Sequence, residues 1–271
     1  MIIRSAGRAL RALLRLVPRV GRGRAARAIV LAAPPSLRAT IVPQLVGLLG
    51  EDDHLPVVSG ALAGAAWLPA SSISMCLLGT FSPESQQLFT EFVRPGDVVW
   101  DVGANVGFFT VLAGRLVEPE GRVISFEPLP RAAEYLRRHV ALNGLENVRV
   151  IEAAVGANTG PAQFEPSSSL AMGHLDAAGS VTVEVVRLDD VDDRLPTFVK
   201  IDVEGGEEAV LAGACKLLRV ARPTLLVAVH GETSGRACRR LLSETGYEVT
   251  TAVDDGGSDE SRRVDLLARP V

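Results

Sequence analysis

The sequence predicts an α/β fold, a mostly parallel sheet with helices on both faces, preceded by a mainly helical extension. From Val98 onward, short β-branched runs alternate with stretches of helical spacing, and that alternation requires crossover connections. Two early strand-like runs end at an acid and enter a turn, Asp101 followed by glycines and Glu127 followed by proline. The last two runs flank a polar turn, which reads as a hairpin and adds an antiparallel C-terminal edge strand.

Taken in order, residues 1–80 read as helical segments broken by Pro18, Pro34-Pro35, Pro43, Pro56 and Pro69 and form a basic extension, while residues 81–271 form the chemistry-bearing domain. Pro83 to Val93 has proline at a helix start and places Leu88, Phe89 and Phe92 on one face. Arg94-Pro95-Gly96-Asp97 makes a turn. Val98-Val99-Trp100 is the first strand, with a helix from Gly107 to Leu116. Arg122 to Phe126 is the second, with an amphipathic helix from Arg131 to Asn143 that Gly144 terminates, and Asn147 to Glu152 is the third. Pro161 to Gly179 reads as loop, and Val181 to Arg187 as a strand returning to the sheet. Phe198 to Val203 is the fourth main strand, followed by one helix over Glu207 to Leu218, and Thr224 to Val229 is the fifth. Ser234-Gly235 precedes another helix, and Tyr247 to Val253 pairs with Arg263 to Ala268.

A hydrophobic content of 47% with 26 glycines excludes a disordered chain. Cys76, Cys215 and Cys238 are odd in number and widely separated, so they read as free thiols of a reducing, cytoplasmic compartment, without a disulfide framework or a sulfur-bound zinc. The net charge of −4 is unevenly spread: the first fifty residues hold Arg4, Arg8, Arg11, Arg15, Arg19, Arg22, Arg24, Arg27 and Arg38 and no acid. Lys200 and Lys216 are the only lysines, a bias that with abundant alanine suggests a GC-rich genome. Over Ala6 to Val17 the spacing of Leu10, Leu13, Leu14 and Val17 gives one apolar helical face ringed by arginine. Two uses are open for it, packing as a soluble helix or weak contact with a membrane surface from the cytoplasmic side. Nucleic acid is disfavoured because stacking aromatics are absent, and arginines interrupt every apolar run too early for a secretory signal or a membrane span.

Four constellations carry chemistry. In V-V-W-D-V-G-A-N-V-G-F-F-T, residues 98 to 110, a strand ends at Asp101 and turns through Gly103, Ala104, Asn105 and Gly107 into a helix, where open parallel sheets bind ligands. Gly103 leaves the backbone open to a ligand and Gly107 permits close approach. A dinucleotide site needs G-x-G-x-x-G and a helix start free of carboxylate, so an acid ahead of the first glycine suits a cationic amino group and no phosphate. Glu127, twenty positions after Gly107, can accept hydrogen bonds from ribose hydroxyls, and Pro128 directs the loop past the nucleoside. In F-V-K-I-D-V-E-G-G-E, period two puts Lys200, Asp202 and Glu204 on one side, either as a structural ion cluster or as a polar cleft opposite the turn. His230 ends the fifth strand and can accept a proton near neutral pH. His54, His139 and His174 lie in the extension, on a helix and in a loop.

D-V-G-A-N-V-G-F-F-T, the F-E-P step, N-V-R-V-I-E-A-A-V-G and V-K-I-D-V-E-G-G-E-E-A-V-L-A-G-A resemble FkbM-type S-adenosylmethionine-dependent methyltransferases from about Gly79 to Ala268. The resemblance implies a Rossmann-like class I methyltransferase fold with a seven-stranded sheet, S-adenosylmethionine as cofactor, and O-methylation of a hydroxyl on a small molecule, sugar, glycan or lipid-linked acceptor. It places Asp101 and Gly103 near the methionine portion, Glu127 near the ribose, Glu152 and Ala153 beside the adenine, and Asp202 and Glu204 at the methyl-transfer space. Members often have an acid just before the histidine of the fifth strand, where this chain has Ala228-Val229-His230. Asp202 or His230 is then the base, with Glu204 and Lys200 fixing the acceptor hydroxyl. No metal ligands are assigned; a divalent cation suits the carboxylates, but the spacing does not require one. Rival readings are a non-catalytic cofactor-binding module and a nucleic-acid methyltransferase using the basic start; an NAD-dependent oxidoreductase fails on the missing G-x-G-x-x-G.

Overall fold

The computed structural model describes residues 15–71, 74–166, 173–176, 178–257 and 263–271. Most of the amphipathic segment expected over Ala6 to Val17 lies outside them. The chain divides into two units, Met1–Gln86 and Gln87–Val271.

The first unit carries helices α1 (Arg19–Ala32) and α2 (Pro35–Val46), a short antiparallel ribbon of β1 (Leu55–Pro56) with β2 (Ala66–Trp67), and helix α3 (Ser74–Leu78). Pro34 and Pro35 separate the two long helices, while Pro43 is accommodated within α2. Ala26, Val30, Val42, Leu45 and Trp67 of this unit are buried. The ribbon was not legible in the sequence, being two residues per strand. No described helix is long and apolar enough to cross a membrane.

Helix α4 (Pro83–Phe92) leads into strand β3 (Val98–Val102), helix α5 (Phe108–Leu116), β4 (Arg122–Phe126), helix α6 (Pro130–Leu142) and β5 (Val148–Ile151). Strands β6 (Ala154–Val155), β7 (Gly160–Pro166), β8 (Gly173–Leu175) and β9 (Val181–Val186) follow. Then come β10 (Phe198–Ile201), helices α7 (Glu207–Ala212) and α8 (Cys215–Val220), β11 (Thr224–His230), helix α9 (Glu232–Glu244), β12 (Tyr247–Asp254) and β13 (Arg263–Pro270).

Seven strands form the main sheet in the order β12-β13-β11-β10-β3-β4-β5, with parallel pairing from β11 to β5. Its central strands are apolar runs because both faces are covered: every residue of β3 and β10 is buried, the charged Asp101 and Lys200 included. One face packs Trp100, Phe126, Val199, Ile201 and Val227 against Val210, Leu211 and Leu218 of α7 and α8. On the other, Phe89 of α4 lies 4.8 Å from the Phe109 ring and 5.0 Å from that of Phe198. The hairpin supplies the antiparallel strand, β13, which pairs with β11; its partner β12 takes the edge.

Several local expectations are corrected. Val181–Val186 does not return to the main sheet but joins β6, β7 and β8 in a separate four-stranded sheet around Ala154, Phe164, Val183 and Val185. Its exposed Thr182 and Glu184 suit a half-covered strand and not a central one. Much of the expected loop 161–179 is therefore strand, with residues 167–172 and 177 outside the description. The helix expected over Glu207 to Leu218 breaks at Gly213, where a Cβ would come within 2.1 Å of the Gly156 carbonyl oxygen. Both Asp189 carboxylate oxygens then accept the N–H groups of Lys216 and Leu217 and start α8 afresh. Helix α9 starts at Glu232, before Ser234-Gly235, and β10 ends at Ile201, before Val203.

Candidate active site

The sheet register builds the polar interior of the site. Ser125, Asp101 and Lys200 pair across β4, β3 and β10, and Lys200 pairs with Leu226 of β11. Alternation along β11 then puts His230 on the same face, beside Arg263 of β13. Asp101 is fully buried; its Oδ2 accepts the Thr110 hydroxyl at 2.7 Å, and that hydroxyl is 2.8 Å from Ser125 Oγ. Lys200 Nζ, also buried, is 3.8 Å from Asp101 Oδ1, 3.2 Å from Asp202 Oδ2, and 4.9 Å from the centre of the Phe109 ring. Burial pushes the Asp101 carboxyl pKa up against the opposing pull of Lys200.

Two expected roles change here. Asp101 does not face the ligand space but lies beneath the glycine turn, where it anchors Thr110 of α5 and balances Lys200. Lys200 is too deeply buried to grip an acceptor hydroxyl, and it holds Asp202 instead. Only the cross-strand register, which a single strand pattern does not contain, reveals either.

The turn itself is stitched between two strands: Gly103 and Ala104 donate N–H to the Phe126 carbonyl, and Asp202 N–H donates to Val102. Gly103 has φ +79°, and a Cβ there would stand 1.9 Å from the Asp202 carbonyl oxygen. At Gly107, φ +93°, it would meet Leu136 Cδ1 at 2.2 Å. The close neighbours that demand glycine are thus the protein's own atoms, as the close approach expected at Gly107 implies, whereas at Gly103 the sequence suggested a ligand. Asn105, φ +51°, turns the chain and receives its own support, since its Oδ1 accepts the Val106 N–H. Beneath the turn the buried His139 ring makes a 2.7 Å hydrogen bond through Nδ1 to the Val106 carbonyl, and burial drops its pKa to about 4. It is neutral, and Nδ1 is the donor.

Glu127 clasps this turn from the end of β4. Its Oε2 accepts the Asn105 N–H at 2.8 Å and its Oε1 the Leu129 N–H at 2.9 Å. Burial raises its pKa to about 7 despite those two donors. Two of its four lone-pair directions remain for hydroxyl donors. Pro128 is half-buried beyond it; Glu152, exposed past the end of β5, pairs with Arg137 at 2.8 Å, and Ala153 is buried next to it. Ala104 is buried in the turn. Asp101, Gly103, Ala104, Asn105, Gly107, Glu127, Pro128, Glu152 and Ala153 all follow or end β3, β4 and β5 on the carboxyl edge.

Next to this edge, the ends of β10 and β11 converge. Asp202 uses Oδ2 for Lys200 and, at 3.6 Å, for Arg263, whereas Oδ1 stands 4.0 Å from His230 Nε2. Burial acts to raise the Asp202 pKa, but Lys200, Arg263 and His230 together hold it below the ordinary carboxylate value. Glu204 is not brought over by strand alternation, since β10 has ended; a left-handed residue, φ +58°, followed by Gly205 at +110°, curls it back to 3.3 Å from His230 Nε2. Burial raises its pKa despite His230. The other ring nitrogen, Nδ1, donates to Glu207 Oε1 at 2.9 Å. Burial disfavours the charged ring, but Glu207, Glu204 and Asp202 outweigh it and raise the His230 pKa.

Glu207, fully buried at the start of α7, also accepts Gly205 N–H through Oε1 and the Ser234 hydroxyl through Oε2. Glu207, Ser234, Arg263, Thr110 and His139 are the site residues that sequence reasoning missed. Glu207 had a signal, an acid at a helix start directly after paired glycines; Arg263 had none. Asp202, Glu204 and His230 are half-exposed. They can meet a solvent-borne group, orient it and accept its proton.

Residues 101–249, more than half of the 271-residue chain, match the methyltransferase FkbM domain. The chain is 27% identical over 180 residues to the hexuronic acid methyltransferase AglP of Haloferax volcanii, a match covering 64% of this chain and 72% of that protein. It is 34% identical over 159 residues to the 31-O-demethyl-FK506 methyltransferase FkbM of Streptomyces tacrolimicus, covering 45% of this chain and 60% of that one. Among solved structures, the methyltransferase FkbM of Methylobacillus flagellatus aligns over 70% of this chain and 52% of its own, at 20% identity and a TM-score of 0.48. The chain belongs to the FkbM family of methyltransferases, and its cofactor is S-adenosylmethionine.

Proposed function

We propose that the chain methylates a hydroxyl oxygen on a sugar, glycan, lipid-linked or other small-molecule acceptor, with the nucleoside of S-adenosylmethionine over Asn105 and Glu127 and the acceptor at Asp202, Glu204 and His230. The observation that carries this reading is that half-exposed triad beside the glycine turn. Transfer of a methyl group from a sulfonium to a hydroxyl releases one proton per turnover, and a displacement in line needs the oxygen held against the sulfur–methyl axis. The triad supplies both acceptors and orientation. The name of one relative, 31-O-demethyl-FK506 methyltransferase, marks an oxygen as its acceptor, which supports the same class, whereas a hexuronic acid offers both hydroxyls and a carboxyl group and supports an oxygen acceptor only.

The test is a panel of uronic acids, neutral glycosides and polyketide alcohols incubated with the cofactor. Formation of an alkali-stable methyl ether is expected. An alkali-labile ester, or methylation confined to nitrogen, overturns the reading.

Glu127 gives a second expectation. Ribose hydroxyls donate to the ionised carboxylate, so cofactor binding and ionisation are linked. With a pKa of about 7, affinity rises with pH, by about tenfold between pH 6 and pH 8. The sign for folding is opposite: the free carboxyl ionises near 4.5, so the folded chain binds this proton more tightly, and stability from this group falls from pH 4.5 to about 7. Calorimetric titration of the wild type and of Glu127→Gln should show weaker binding and a flattened pH slope in the variant. An unchanged slope would remove Glu127 from the ribose.

A further inference from the structure

We infer that Asp202, Glu204 and His230 hold one divalent cation. One donor atom from each side chain gathers within 4.8 Å of the others, and among the described residues this is the group of His, Cys, Asp and Glu side chains so arranged. His230 Nε2 is 3.3 Å from Glu204 Oε2 and 4.0 Å from Asp202 Oδ1. Around an ion bonded at about 2.1 Å, adjacent ligands stand about 3.0 Å apart and opposite ones about 4.2 Å. Small side-chain adjustments bring all three donors onto such a sphere.

The histidine separates this group from a patch of exposed acids. Its Nδ1 is committed to Glu207 Oε1, an oxygen that also accepts the Gly205 N–H, so Nδ1 carries the hydrogen and Nε2 is directed at the two remaining carboxylates. Glu207 cannot turn away, because Ser234 and the Gly205 N–H hold its oxygens. A ligating histidine characteristically donates its other N–H to a carboxylate fixed in this manner. Unless Nε2 bears a proton or a metal, its lone pair confronts two anions.

Asp202 is divided in the same sense. Oδ2 belongs to Lys200 and Arg263, and Oδ1 is left toward the triad. Two carboxylate oxygens and one imidazole nitrogen, with no sulfur, suit magnesium, manganese or zinc, and three protein ligands leave coordination positions for water or an acceptor oxygen. A cation there would lower the pKa of a coordinated hydroxyl. That last step rests on the proposed O-methylation; binding of the ion does not.

The experiment is titration of the full chain, stripped with EDTA, with Mn²⁺, the free ion being read by electron paramagnetic resonance. One saturable ion per chain is expected. His230→Ala and Glu204→Gln should each weaken it tenfold or more, and Glu207→Gln, which touches no ion, by roughly 10–100-fold. Calorimetry with S-adenosylmethionine checks that each variant is folded, and Glu204→Gln alters only a half-exposed side chain. No saturable Mn²⁺ binding to the wild type, or equal binding by Glu204→Gln and His230→Ala, overturns the inference. Full methyl transfer in EDTA without bound Mn²⁺ overturns the cation's part in the transfer and leaves O-methylation standing. Saturable Mn²⁺ binding lost in the variants, with no acceptor methylated, supports the cation and counts against the acceptor reading.

Discussion

The Asp202→Asn variant is expected to lose about 100- to 10,000-fold in methyl transfer, the range for removing a group that handles a proton in the transition state. The amide keeps the shape of the side chain but not its charge, so Oδ1 no longer offers an anion toward His230 Nε2, 4.0 Å away. A stability cost accompanies it, because buried Lys200 loses its partner at 3.2 Å and keeps only Asp101 at 3.8 Å. Breaking a buried ion pair on one side costs about 3–5 kcal/mol. Low turnover could then reflect unfolding, and two measurements separate the effects. Calorimetry below the unfolding transition should find S-adenosylmethionine binding retained, since Glu127 and the turn residues are unaltered. The triple variant Asp202→Asn, Lys200→Met and Asp101→Asn removes the stranded ammonium together with the buried acid it balances, so it should recover stability without recovering turnover. Wild-type turnover in Asp202→Asn would take that carboxylate out of the chemistry.

Asp202 also shows how far the sequence could be read. The runs at Val98, Arg122, Phe198 and Thr224 were legible as strands because a sheet covered on both faces requires unbroken apolar stretches, and the acids at their ends marked the carboxyl edge. The triad was partly legible: Asp202, Glu204 and His230 stand out as chemistry at strand ends, but the turn at Glu204 and Gly205 that gathers them does not follow from alternation. A single strand's alternation points Asp101 and Lys200 to the open side, whereas pairing Lys200 beside Asp101 is a property of two strands. Arg263 reaches Asp202 across 61 positions, and Glu207 reaches His230 across 23, with no periodicity to announce either contact. The small sheet was missed for a different reason. Val181–Val186 alternates and is legible as a strand, but its partners are not: β6 and β8 have two and three residues, and β7, Gly160–Pro166, opens on glycine and proline and carries Gln163 and Glu165, a composition that reads as loop.

The Gly103→Ala variant should damage both halves of the site at once. A Cβ at Gly103 would stand 1.9 Å from the Asp202 carbonyl oxygen and 2.8 Å from its carbon, both backbone atoms that no side-chain rotation can clear. The φ of +79° adds its own penalty for any residue with a Cβ. Left-handed strain of about 1–2 kcal/mol and forced backbone displacement of about 1–3 kcal/mol together predict a loss of about 2–5 kcal/mol. Two other glycines separate these contributions. Gly96 has φ +85° with nothing within 4 Å of the place a methyl group would take, so Gly96→Ala should show the strain alone, while Gly206, φ −94° with its nearest neighbour at 3.4 Å, should tolerate alanine. Denaturant midpoints rank the three. The order expected is Gly103→Ala least stable, then Gly96→Ala, then Gly206→Ala. Because the displaced atom is the Asp202 carbonyl, Gly103→Ala should also weaken Mn²⁺ binding, although Gly103 touches neither ion nor acceptor. A variant that loses cofactor affinity yet binds Mn²⁺ as the wild type does would show that turn and triad are not coupled through this contact.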